Sequence, residues 1–119
     1  MAENKEEILL NEDQWKTEAA AVIQDVQEHV QDIRISDKIQ STNQCIHLNL
    51  TTVEGNQYCV ELSANGFRTV GSTYDNKTEP SNRHFETPYA LLNHVSLSFK
   101  IVFGNSLIRK LENVHFQNL

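Results

Sequence analysis

The feature that most constrains this fold is a change of hydrophobic period near residue 31. Before that point apolar residues recur every three to four positions, and after it they recur at every second position. The first pattern is typical of an amphipathic helix, and the second of strands that bury one face. Such a chain is expected to pack a helix against a sheet.

The predicted first helix starts at Trp15 and runs for about four turns. Its apolar residues share one face of about 100°, and they are Trp15, Ala19, Val22, Ile23, Val26 and Val30. Residues 1–14 are acidic and weakly apolar, which predicts a flexible arm. The rest of the 119-residue chain, 15–119, is long enough to form a single domain with its own core.

Four segments then alternate apolar and polar residues: "DIRISDKIQ", "CIHLNLT", "QYCVELS" and "GFRTVGSTY". The turn sequences "VEGNQ" and "SANG" join the second to the third and the third to the fourth. This spacing predicts a four-stranded antiparallel meander with one apolar face and one polar, half-buried face. Placing the apolar residues on one face puts Asn49 or Thr51 opposite Cys59, so Cys45 lies too far away for a disulfide.

The polar stretch "DNKTEPSNRHFE" predicts a mobile loop. Two helices follow it. Thr87 caps the first, with Pro88 at its first position, and Ser96 caps the last, which extends from Leu97 to Val114. The predicted fold class is therefore α+β, with an N-terminal helix, a four-stranded antiparallel meander and two C-terminal helices.

The last helix carries more apolar surface than one packing contact needs. Phe103, Leu107, Leu111 and Val114 fall in a narrow arc. Further apolar residues widen that arc to more than half the circumference, and they are Phe99, Ile101, Val102 and Ile108. Either another part of the chain covers the second side, or the helix inserts into the groove of a partner. Both alternatives are open at this point.

Composition excludes several classes of function. A net charge of −6 and a pI near 5.3 argue against nucleic-acid binding and against attraction to anionic membranes. No apolar run is long enough to span a bilayer, and the N-terminus lacks a secretory signal. Two cysteines form neither a disulfide framework nor the closely paired ligands of a typical zinc site. We therefore expect a cytosolic or nuclear protein without metal or cofactor.

Catalytic patterns are weak. His84 and His94 flank Glu86, but no histidine pair has the spacing of a metal motif. The residues His47, Asn49 and Glu61 belong to facing strands and are expected to form a polar cross-strand patch. A thiol enzyme that uses Cys59 with His47 and Glu61 is the catalytic alternative, although the sequence offers no activating group for the thiol. We predict that the chain is not an enzyme.

The stretches "EAAAVIQDV", "NQYCVEL", "GFRTVG", "TPYALL" and "FGNSLIRKLE" occur in the order found in a known family. From about Glu18 to Val114 the chain resembles the glycogen synthase kinase-3β interaction protein family, whose members are also described as A-kinase anchoring proteins. The resemblance implies a protein-binding domain that docks glycogen synthase kinase-3 and modulates or inhibits it, with a role in Wnt signalling.

In that family the C-terminal helix binds the kinase, and it resembles the kinase-docking helix of axin. The resemblance therefore implies a docking set in this chain. The residues that match it are Phe103, Leu107, Ile108, Lys110, Leu111, Glu112 and Val114. Lys110 stands where the family pattern has arginine, and lysine cannot make a planar bidentate contact, so we expect a lower affinity.

The family's second partner is the regulatory subunit of protein kinase A, which binds the first helix. The contact positions in this chain would be Ile23, Val26 and Gln27. Binding members carry apolar residues at the positions of Ile23 and Gln27, and Gln27 is polar, so we expect this anchoring to be weak or absent. A similar domain occurs in clustered-mitochondria proteins, which gives an adaptor in mitochondrial distribution as the alternative function.

Overall fold

A computed structural model describes residues 10–104, and the structural statements below refer to this part of the chain. It contains a helix, a four-stranded sheet and two short helices, which confirms the predicted α+β class. The elements are α1 (Glu12–Val26), a 3₁₀ turn (Gln27–His29), β1 (Asp32–Ile35), β2 (Cys45–Thr51), β3 (Gln57–Ser63), β4 (Gly66–Gly71), α2 (Pro88–Val95), α3 (Leu97–Phe99) and a π-helical turn (Lys100–Gly104).

Helix α1 begins three residues earlier than predicted. The Asn11 side chain accepts a hydrogen bond from the Gln14 backbone N–H, and the Gln14 side chain accepts one from the Asn11 N–H, both at 2.8 Å. This reciprocal cap satisfies two backbone donors that would otherwise lack partners. The predicted start at Trp15 is wrong because it followed the apolar period alone. Residues 1–9 of the predicted arm lie outside the described part of the chain.

The sheet is antiparallel with the order β1-β2-β3-β4, as the meander prediction required. Asn49 lies opposite Cys59, which confirms the predicted register, and Cys45 lies opposite Ser63, so both thiols are free. Strand β1 ends at Ile35, because the Ser36 hydroxyl accepts the N–H of Ile39 and turns the chain. The prediction that placed Ile39 in this strand is therefore wrong.

Strand β4 also ends earlier than predicted, at Gly71, which leaves Tyr74 outside it. Its pairing with β3 shifts between Cys59 and Val60, so the strand carries a bulge next to its end. At Gly71 the carbonyl of Asn76 approaches so closely that a Cβ atom would overlap it. The chain therefore leaves the sheet at this glycine and folds back over it.

The apolar face of the sheet forms the core with α1 and α2. Helix α1 packs against β1 and β2, and α2 packs against α1 and β4. The most deeply buried side chains come from both helices and from the central strands β2 and β3, and they include Ala19, Val26, Ile46, Leu48, Leu50, Val60 and Leu92. Within residues 10–104, no helix has both the length and the apolar character to cross a bilayer.

The polar face of the sheet is covered as well. The chain from residue 72 to 86 has little regular structure, but it bonds to β4 through the Glu79 N–H to the Val70 carbonyl, and through paired bonds between Phe67 and Phe85. Asp75 exchanges two hydrogen bonds with the buried Asn49 side chain, at 2.8 and 2.9 Å. The prediction of a mobile loop is therefore wrong, and so is the separate prediction that the polar face is half-buried, because His47 and Asn49 are each only 3% exposed. The segment forms a cover that buries the centre of this face.

Candidate functional site

The structure confirms both of the helix caps that the sequence predicted, Thr87 for α2 and Ser96 for α3. The Thr87 hydroxyl accepts the N–H of Ala90 at 3.1 Å, and Pro88 occupies the first position of α2. The Ser96 hydroxyl accepts the N–H of Phe99 at 3.2 Å. Ser96 thus ends α2 and begins α3, which fixes the turn between the two helices.

Glu54, in the β2–β3 turn, holds α3 to the sheet. Its carboxylate accepts the Ser98 N–H at 2.6 Å and the Ser96 hydroxyl at 3.0 and 3.1 Å. The backbone bond from Ser98 is the main reason that the pKa of Glu54 falls from 4.5 to about 2. Sequence reasoning missed this residue because 42 positions separate it from Ser96, and no spacing rule links a hairpin carboxylate to a distant cap.

The inner side of the segment that follows is aromatic. Phe99 is 5% exposed and stacks on Phe103, with ring centroids 4.9 Å apart. The His29 ring packs edge-on against both, with centroid distances of 5.8 Å to Phe99 and 4.4 Å to Phe103. Phe103, the first predicted docking residue, is therefore partly buried against the domain. Its ring links the last helix to the end of the first.

The outer side of the same segment is aliphatic and exposed. Leu97, Ile101 and Val102 are 67%, 55% and 56% exposed. The sequence left open whether another part of the chain covers the second apolar side of the last helix. At Ile101 and Val102 this cover is incomplete, because more than half of each side chain is exposed. The segment therefore has a packed aromatic side and an exposed aliphatic side.

The remaining predicted docking residues lie outside the described part of the chain. They are Leu107, Ile108, Lys110, Leu111, Glu112 and Val114. Helical structure is described from Leu97 to Gly104.

On α1, the predicted contacts for the kinase A regulatory subunit do not form one exposed apolar stripe. Val26 is 1% exposed and belongs to the core, so it is not available to a partner in this conformation. Ile23 packs partly against the same core, and Gln27 is exposed in the 3₁₀ turn. The single apolar side of this helix thus faces the sheet.

The polar face brings together the residues of the predicted cross-strand patch. His47 lies opposite Glu61, with 3.8 Å between its Nε2 and the Glu61 Oε2. The Arg68 Nε donates to the other oxygen, Oε1, at 2.8 Å. Burial lowers the pKa of His47, because desolvation disfavours the imidazolium form.

The geometry does not support the thiol-enzyme alternative. Cys59 is completely buried, and burial raises the pKa of its thiol. A catalytic cysteine needs the opposite shift and access to substrate. Within residues 10–104, a different cysteine comes together with His47 and Glu61. Cys45, His47 and Glu61 form a group of potential metal ligands. His84, Glu86 and His94, which lack the spacing of a metal motif, do not form such a group within residues 10–104.

Comparison with known proteins agrees with the resemblance. A family profile described as "GSKIP domain" matches residues 15–114. A zebrafish (Danio rerio) protein named "GSK3-beta interaction protein" is 37% identical over 100 residues, which cover 83% of this chain and 75% of the relative. The chicken (Gallus gallus) protein of that name is 36% identical, and the human "GSK3B-interacting protein" is 33% identical, each over 82% of this chain and 70% of the relative.

Proposed function

Because the chain belongs to the GSKIP-domain family, we propose that it is a non-catalytic protein that binds glycogen synthase kinase-3 through its C-terminal helix. Relatives that it matches over most of their length are named for an interaction with GSK3-beta. The observation that carries the proposal is the exposed aliphatic side of the segment that leads into the docking sequence. Ile101 and Val102 are both more than half exposed there.

Docking uses the apolar residues Leu107, Ile108, Leu111 and Val114, which recur at helical spacing after Phe103. An amphipathic helix that enters a hydrophobic groove uses this arrangement of anchors. Each fully buried anchor contributes roughly 1.5–3 kcal/mol as an upper estimate. Occupation of the groove that scaffolds use would reduce scaffold-dependent phosphorylation, which is how the protein modulates the kinase.

Leu111→Asp tests the docking helix in a titration calorimetry experiment with purified glycogen synthase kinase-3. A charge placed at a central anchor loses the burial energy and adds a desolvation penalty, so the dissociation constant rises at least about a hundredfold. The matched control is Tyr89→Asp, which places the same charge on an exposed residue of α2, outside the last helix, and leaves binding unchanged. Equal binding by wild type and Leu111→Asp would refute docking through this helix. Circular dichroism establishes that both variants keep the sheet.

Modulation is tested separately from binding. An axin-derived docking peptide competes with this chain for the kinase if both occupy one groove. We expect mutually exclusive binding, and we expect phosphorylation of a scaffold-dependent substrate to fall as the chain is added. Simultaneous binding of the peptide and the chain would show that the chain occupies another surface.

We further propose that anchoring of protein kinase A is weak or absent. The support is the placement of Val26 in the core and of polar Gln27 on the surface. A titration of the regulatory subunit's docking domain is expected to give no sub-micromolar binding. Sub-micromolar binding that Ile23→Pro abolishes would refute this proposal and leave the kinase-3 proposal untouched.

A further inference from the structure

Three side chains on the polar face of the sheet have the chemistry of metal ligands. Cys45 and His47 are two residues apart on β2, and Glu61 lies opposite His47 on β3. Alternate residues of a strand point to the same face, so the sheet itself directs all three side chains to one point. One donor atom from each lies within 4.8 Å of the others.

His47 gives an independent indication that this point receives a ligand. The side chain is 3% exposed, and neither ring nitrogen has a hydrogen-bond partner. The nearest Glu61 oxygen, at 3.8 Å from Nε2, is beyond hydrogen-bond distance. Buried polar atoms are nearly always paired, because an unpaired one costs about 1–3 kcal/mol. Nε2 is directed at the same carboxylate that completes the cluster.

We propose that Cys45, His47 and Glu61 form a zinc site that ties β2 to β3. A thiolate, an imidazole and a carboxylate are the three kinds of protein ligand that Zn²⁺ accepts. Tetrahedral metal–ligand bonds of about 2.0–2.3 Å place such donor atoms about 3.3–3.7 Å apart. Side-chain rotations that move the donor atoms by about 1 Å are therefore enough to close the site. Cys45 is partly exposed, which leaves the fourth position to a water molecule.

The surroundings hold two of the ligands in position. The Arg68 Nε binds Glu61 Oε1 at 2.8 Å, which leaves Oε2 toward His47. The Thr42 hydroxyl lies 3.9 Å from the Cys45 sulfur. Such outer contacts orient metal ligands and strengthen binding. When zinc binds, the Cys45 thiol loses its proton to solvent, and the thiolate and the Glu61 carboxylate together neutralise the ion's two charges.

Cobalt titration of the full chain tests the site directly, because tetrahedral Co²⁺ bound to a thiolate has visible d–d bands and a sulfur-to-metal charge-transfer band. We expect both bands to saturate at one metal per chain and to disappear when Zn²⁺ is added. Cys45→Ser is expected to abolish the charge-transfer band. His47→Gln and Glu61→Gln are each expected to weaken binding by at least about tenfold.

Two matched variants keep the test specific. Cys59→Ala removes the other thiol, and His94→Gln removes an exposed histidine, so both are expected to bind cobalt as the wild type does. Loss of the band in Cys59→Ala, with no loss in Cys45→Ser, would overturn the assignment. So would a wild-type titration with no charge-transfer band.

A second measurement needs no variant and so does not depend on how any variant folds. Iodoacetamide alkylation of Cys45, followed by peptide mass spectrometry, is expected to slow at least about tenfold when Zn²⁺ saturates the site. Added Mg²⁺, which prefers oxygen ligands, is expected to leave the rate unchanged. Equal alkylation rates with and without zinc would refute the site. These results are independent of the binding of glycogen synthase kinase-3.

Discussion

Removal of the Phe99 ring is expected to weaken the packing of the last helix on the domain and to destabilise the whole domain. The ring is 5% exposed and stacks on Phe103 at 4.9 Å. A buried Phe→Ala change costs about 3–5 kcal/mol, which includes the cavity that it leaves. That cost is a large part of the 5–15 kcal/mol that stabilises a typical domain. With a urea m-value of about 2 kcal/mol/M, the unfolding midpoint of Phe99→Ala falls by about 1.5–2.5 M.

Urea unfolding followed by tryptophan fluorescence measures this loss. Trp15 is the only tryptophan, and it is buried with its indole N–H bonded to the Asn43 carbonyl at 2.9 Å, so its emission reports loss of the core. The control is Leu97→Ala on the exposed side of the same segment, which is expected to change stability by less than about 0.5 kcal/mol. If Phe99→Ala cost less than about 1 kcal/mol, the aromatic side would not be anchored in the free protein.

Three further predictions concern substitutions of single residues. Because its pKa is lowered from 4.5 to about 2, Glu54 contributes stability above pH 4.5 that is lost as the pH falls toward 2. The urea midpoint of Glu54→Gln is therefore expected to fall less than that of the wild type between pH 4.5 and pH 2. An equal fall in both proteins would contradict this. Lys110→Arg provides a planar guanidinium and tightens kinase binding about threefold to tenfold in calorimetry, whereas unchanged affinity would exclude a bidentate contact. Gly66 has a φ of +109°, and a Cβ there would overlap the Phe85 carbonyl, so Gly66→Ala costs more than about 1 kcal/mol in urea unfolding. Gly66→Ala is also expected to lose more stability than Gly55→Ala, because Gly55 has a similar φ but no atom close enough to overlap an added Cβ. Equal losses of stability in the two variants would contradict the predicted overlap with the Phe85 carbonyl.

The elements that the sequence predicted correctly depend on local signals. Alternation and turn residues were enough for the meander and for the register that sets Asn49 opposite Cys59. Thr87, Pro88 and Ser96 marked the helix starts because a cap acts within three residues. The cap of α1 was equally local, but the predicted start followed hydrophobicity instead of Asn11 and Gln14.

The features that the sequence did not predict depend on contacts across the fold. The cover over the polar face is held by Asp75, which bonds Asn49 from 26 positions away. The Glu54 tether and the packing of His29 on Phe103 span even longer separations. Such pairs leave no periodic trace in one sequence, so a polar stretch was predicted as mobile, and the contact between His29 and Phe103 was not predicted. Of the predicted docking residues, Phe103 lies within residues 10–104, and it is partly buried against the domain.

The cover segment also decides how the sheet can meet other chains. Backbone bonds from Glu79, Ser81 and Phe85 occupy the outer edge of β4, and β1 at the other edge has only four residues, with a charge at Asp32 and at Arg34. An unpaired, flat edge invites addition of a foreign strand, and both edges are protected against it. Within residues 10–104 both sheet margins therefore disfavour pairing with an extended peptide, which resists edge-to-edge aggregation.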